Sequence, residues 1–129
     1  MNEVPINARV MIDKSSTAAR IARRFVQHTL GDDAAVELLR DAILLTSELV
    51  TNATMHTDNG CRLIVQFDPK RAFVRVEVED NSTKLPEAPL IAPAGAVGGL
   101  GLRLVGNVAS KWGATPSDTG KTVWFELTG

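Results

Sequence analysis

The chain has 129 residues, a formal net charge of -1, 44% hydrophobic residues and 22% charged ones. That length supports one domain with one core, residues 1–129, and the composition is that of a folded globular chain rather than a disordered one. The near-neutral charge removes the bulk electrostatic case for direct nucleic-acid binding or for an anionic membrane surface. The opening MNEVPINARV lacks the basic-then-apolar pattern of a signal peptide, and no run is long enough to span a bilayer, so the expected location is cytoplasmic. Cys61 is the single cysteine, which excludes an internal disulfide and a cysteine-based zinc cage. It falls in a strand-like run and reads as a small buried hydrophobe rather than a nucleophile.

In chain order, Ile6, Ala8, Val10 and Ile12 alternate on one face of a first strand. Ser15 or Ser16 then caps a helix running to about Leu30, with Ala19, Ala22, Phe25, Val26 and Leu30 inward and Arg20, Arg23 and Arg24 elsewhere on its surface. Gly31 ends that helix, and Asp32 or Asp33 starts a second, about Ala34 to His56, apolar on more than one side. Two strands follow, about Cys61 to Asp68 and Ala72 to Asp80, close enough for an antiparallel hairpin across Pro69-Lys70-Arg71. The stretch from Asn81 to Gly98 is rich in Pro, Ala and Gly and reads as a loop. A third helix, about Leu100 to Ser110, precedes two closing strands, around Trp112 to Thr115 and Lys121 to Leu127, with Ser117-Asp118-Thr119-Gly120 as the turn. The order predicts an α+β two-layer sandwich: a mixed, mostly antiparallel sheet with about three helices on one face.

Three features carry chemistry beyond core building. On the second helix Glu48, Asn52 and His56 stand at i, i+4 and i+8, one stripe, which is either a solvated polar edge or a polar face turned into a cavity. A carboxylate and an amide oxygen suit a hard cation such as Mg²⁺, and the carboxylate can also orient a water or hydroxyl. In GGLGLRLV, residues 98–105, glycines lead straight into a helix, exposing backbone N–H groups to an anion; the Walker and dinucleotide patterns are both absent. The third feature is Asp80, which falls in register with Val74, Val76 and Val78 at the end of a core-facing row. A carboxylate there needs a partner. An exposed strand end, an Asx-turn or a salt bridge would supply one, and so would a ligand's N–H donor such as the exocyclic amine of adenine. With only His28 and His56 present, no histidine zinc site is spaced for ligation, and Ser47 lacks a nucleophile-elbow context.

Taken in order, SELVTNATMH, VEVEDNSTKLP, GGLGLRLV and GKTVWFEL resemble the GHKL nucleotide-binding superfamily, which includes gyrase and the histidine kinases. Within it they are most similar to the small anti-sigma-factor serine/threonine kinases of actinobacterial type. The resemblance runs from about residue 22 to about residue 127. It implies the Bergerat fold, with ATP and Mg²⁺ between sheet and helices under a lid. It implies that Glu48 is the general base or water-orienting group and that Asn52 ligates Mg²⁺. By the same resemblance Asp80 accepts from the adenine amine, Ser82 lies beside it, and Gly99, Gly101 and Leu102 form the phosphate-side glycine box. Thr122 matches a last-strand threonine near the base, and His56 completes the helical motif.

The chain departs from the pattern in two places. Asp80-Asn81-Ser82 stands where many relatives have glycines after the aspartate, and Leu100 stands where many carry arginine. No phosphoacceptor-histidine helix pair precedes the motifs, which points away from a complete sensor histidine kinase. The resemblance implies a partner-switching regulator that sequesters a sigma factor and phosphorylates an antagonist of the STAS type, with homodimerisation expected from relatives. Two other readings stay open: an ATP-dependent interaction module without kinase activity, and an apo scaffold that only docks partners.

Overall fold

The structure, a computed structural model, describes residues 4–55, 57, 59–82 and 108–129. Its elements are β1 (Ile6–Ile12), α1 (Ala18–Leu30), a 3-10 turn (Gly31–Asp33), α2 (Val36–Met55), β2 (Cys61–Asp68), β3 (Phe73–Asp80), β4 (Lys111–Pro116) and β5 (Lys121–Thr128). The five strands lie in the order β1-β2-β3-β5-β4, and α1 and α2 cover one face of the sheet.

Alternation decides which side of each strand is buried, because successive side chains point to opposite faces. Cys61, Leu63, Val65 and Phe67 on β2, Val74, Val76 and Val78 on β3, and Val123, Phe125 and Leu127 on β5 form the inner face. Helix α1 meets this face with Ala18, Ala22, Val26 and Leu30, a four-residue repeat. Helix α2 brings Leu38, Ala42, Leu45, Leu49, Val50 and Ala53. α1 packs on β1 and β2, while α2 lies across β2, β3 and β5. Each fully buried Leu or Phe contributes about 1.5–3 kcal/mol by leaving water, so this interface is the main source of cohesion. The outer face is more polar, although Ile64 and Trp124 lie on it. Arg75 bonds Glu77 at 3.0 Å and Glu126 at 2.7 Å, and its guanidinium lies 4.2 Å from the Trp124 ring centre.

Several expectations are corrected. The α+β class stands, but among the described residues every strand pair is antiparallel, where a mixed, mostly antiparallel sheet was predicted. The reason is topological: the chain returns to the far edge as β4, and the second strand of the β4–β5 hairpin fills the gap beside β3. β4 runs parallel to β3 but never touches it. α1 starts at Ala18 rather than directly after a serine cap, because the Ser15 hydroxyl instead accepts from the Thr17 amide at 3.3 Å. α2 starts at Val36, since Gly31–Asp33 form the 3-10 turn and Gly31 takes a left-handed φ of 56°. Ala72 lies in the turn before β3, with φ 50°, and not in the strand. The third predicted helix falls outside the described residues except at its end. Val108 is helical, but Ser110 already donates to the Glu126 carbonyl at 2.8 Å.

Candidate functional site

One end of the sheet carries a transverse row of inward-facing residues. Ile12 pairs with Cys61, and Asp80 pairs with Lys121; the β2–β3 register, with Arg62 opposite Glu79, continues to set Cys61 beside Asp80. The row therefore ends an otherwise apolar face with a thiol, a carboxylate and an ammonium. The side chains of Asp80 and Lys121 are 1% and 3% exposed. Burying both charges is tolerable only because they meet: Lys121 Nζ lies 3.1 Å from Oδ1 and 3.0 Å from Oδ2 of Asp80. The Ser82 amide donates to Oδ1 at 2.8 Å, closing an Asx-turn past the strand end.

The two carboxylate oxygens are not equivalent. Oδ1 accepts two hydrogen bonds. Oδ2 is buried, and although Nζ is close, no donor among the described residues points at it with hydrogen-bonding geometry. The proximity supplies ion-pair attraction while leaving an acceptor open. A buried acceptor without a donor costs about 1–3 kcal/mol, so a donor on a ligand would be rewarded there.

Beside this row lies an open hollow of about 540 Å³, lined by Gly60, Cys61, Glu79, Asp80, Thr119 and Lys121 among others. The size suits a small-molecule site. Gly120, at the end of the β4–β5 turn, is part of its construction. A Cβ there would collide with the Asp80 carbonyl oxygen and sit 2.7 Å from the Asn81 Cα, so only glycine lets β5 start this close to the end of β3. Gly120→Ala should destabilise the fold by about 1–3 kcal/mol and displace the Asp80–Lys121 pair, measured by chemical denaturation. An unchanged unfolding midpoint would show that the strand ends can separate freely.

Cys61 reports on the same microenvironment. Burial first, and the Asp80 carboxylate second, push its thiol from 9.0 up to about 11. Between those values the native thiol keeps a proton that the unfolded thiol has lost. The associated stability is complete below pH 9 and falls as pH rises toward 11. The thermal midpoint of the wild type should therefore decline more steeply over that window than that of Cys61→Ala. Equal slopes would remove the thiol from the account.

The structure brings only some of the sequence-predicted residues together. Asp80 and Ser82 are joined by the Asx-turn. Glu48 and Asn52 lie one turn apart on α2, both half-buried, and neither side chain is engaged by another described residue. They are not among the walls of the hollow, which draws on the ends of β1, β2 and β3 and on the β4–β5 hairpin. Thr122 is among the walls of the hollow, but it pairs with Glu79 on the opposite face of the sheet from Asp80. The residue that faces Asp80 is its neighbour Lys121, and sequence reasoning missed it. The signal was present: counting back by two from Leu127, Phe125 and Val123 sets Lys121 inward. His56, Gly99, Gly101 and Leu102 lie outside the described residues.

The donor chemistry fits the groups that the resemblance implies. Glu48 and Asn52 offer hard oxygen donors on adjacent turns, the kind of partial set Mg²⁺ uses alongside waters and phosphates. The open Oδ2 of Asp80 fits an exocyclic amine.

Most of the chain is similar to solved structures. The crystal structure of the RsbU and RsbW domains of Rv1364c from Mycobacterium tuberculosis matches with a TM-score of 0.70 and 20% identity over 95% of this chain and 31% of that one. The blue-light activated histidine kinase of Erythrobacter litoralis matches at 0.57 and 23% identity, over 87% of this chain and 41% of that one. Its histidine kinase domain matches at 0.54 and 24%, over 86% and 59%. The chain shares the fold of these structures. The chain spans less than two thirds of each of these chains. No protein-family profile matches the sequence, and no curated protein does. In this chain, α2 is the helix that carries SELVTNATM and β3 is the strand that ends in Asp80.

Proposed function

We propose that the chain is an ATP- and Mg²⁺-dependent regulator of the anti-sigma-factor kinase type, which phosphorylates a serine or threonine on a partner protein in the cytoplasm. The observation that carries this reading is the buried, open acceptor of Asp80 at the strand end where the resemblance puts the adenine amine. The likeness in fold to the structure containing an RsbW domain supports it. The partners that fit are a sigma factor, held by sequestration, and a STAS-type antagonist, which receives the phosphoryl group. A homodimer is the expected state.

In this reading Asp80 orients the base. Glu48 takes the proton of the acceptor hydroxyl as its oxygen bonds to the γ-phosphorus. The bond from that phosphorus to the bridging oxygen breaks, and ADP leaves. Asn52 would hold Mg²⁺ through its amide oxygen, and the ion, when bound, offsets phosphate charge. His56, Ser82, Thr122 and the glycine box of Gly99, Gly101 and Leu102 belong to the same assignment.

Calorimetric titration with ATP and Mg²⁺, followed by a γ-phosphate transfer assay with a cognate antagonist, tests the proposal. Saturable binding with transfer supports it, and absence of binding removes it. Asn81-Ser82 where relatives have glycine, and Leu100 where many carry arginine, favour a second reading, in which the chain binds nucleotide and regulates partners without phosphorylating them. Binding without transfer selects that one.

A further inference from the structure

The geometry points to Lys121 as a base-selecting residue that opens the site to 6-oxopurine nucleotides, guanosine nucleotides among them, as well as to adenine. The inference rests on the nucleotide reading of the site. A lone carboxylate is an acceptor only. It pairs with the amine of adenine and repels the O6 carbonyl of guanine or hypoxanthine. This site is not a lone carboxylate. Lys121 is drawn from β5 by the in-register pairing with Asp80, and its ammonium stands 3.0–3.1 Å from both carboxylate oxygens.

Each partner has capacity left. An ammonium has three N–H donors. Among the described residues, Lys121 uses one of them, on Asp80 Oδ1, while Oδ2 keeps an open acceptor position. A donor and an acceptor therefore stand side by side against the hollow that both residues line. The six-membered ring of a purine presents the complementary pair on one edge, in either of two orders. Adenine offers the N6 amine as donor next to N1 as acceptor. Guanine and hypoxanthine offer O6 as acceptor next to N1–H as donor. Asp80 takes the donor and Lys121 the acceptor in both cases, so the ammonium removes the penalty that a carboxylate alone imposes on O6. Thr122 also lines that hollow, but it pairs with Glu79 on the sheet face opposite Asp80 and so is not part of this donor–acceptor pair.

The test is the ratio of ADP to GDP affinity, measured by calorimetry with Mg²⁺ for wild type, Lys121→Met and Lys121→Arg, each checked for folding by circular dichroism. Wild type should bind the two within about tenfold, since each base makes one charge-assisted pair with each residue. Lys121→Met, which keeps the aliphatic stem, takes one pair from each base and leaves only O6 against a bare carboxylate, so both affinities should fall and the ratio should shift toward ADP by about tenfold. Lys121→Arg should return it toward wild type. Wild type that binds ADP and rejects GDP would overturn the inference and leave the nucleotide reading standing. So would a ratio unchanged in Lys121→Met. If neither nucleotide binds, both fall. The wild-type ratio decides even where the methionine variant fails to fold.

Discussion

Glu48→Ala is expected to leave the protein folded and ATP binding within a few-fold of wild type, while cutting phosphoryl transfer to the antagonist about hundredfold or more. The structural side of this is favourable. Glu48 is half-buried on α2, it makes no side-chain bond to another described residue, and alanine is the best helix former. Nothing in the core depends on it, since α2 is held by Leu45, Leu49, Val50 and Ala53. A loss of transfer can then be read as loss of the group that accepts the hydroxyl proton, not as loss of fold. Single-turnover transfer with radiolabelled ATP checks this. Undiminished transfer would take Glu48 out of the mechanism, and equal losses of transfer and binding would recast it as a binding residue.

Breaking the Asp80–Lys121 pair from one side should cost about 3–5 kcal/mol, because the surviving charge is left buried without a partner. The pair qualifies because both side chains are almost wholly enclosed and the contact is direct. Asp80→Asn and Lys121→Met should each show this loss in denaturant unfolding. The double variant should recover most of it, since two neutral groups of similar volume replace the pair. The same result governs how nucleotide titrations are read. Asp80→Asn alone lowers affinity by destabilising the protein as well as by removing an acceptor. The double variant removes the stability contribution, but takes the Lys121 donor away together with the carboxylate. A single variant as stable as wild type would mean that water reaches the pair and that the site is wetter than the structure shows.

The hairpin of β2 and β3 was legible in the sequence almost to the residue, for a simple reason. Val74, Val76 and Val78 alternate with charged residues, and only a half-buried strand accepts that pattern. The same count set Asp80 inward, and there it lies. α2 was legible because its apolar positions repeat at helical spacing. Helix starts were less so. Whether a serine caps a helix or bonds its own turn depends on local geometry that composition does not encode, as Ser15 shows.

Lys121 marks the boundary between the two kinds of information. Strand period alone says that Lys121 and Asp80 each face inward, at a cost neither could bear alone. That they meet depends on β5 entering the sheet between β3 and β4, and on Gly120 letting the strand ends approach. A sequence determines the face on which a side chain lies, because that is a property of one strand. Which side chains become neighbours is a property of strand order and register, so the pairing of carboxylate and ammonium, the open acceptor and the wall of the hollow were decided only when the sheet assembled.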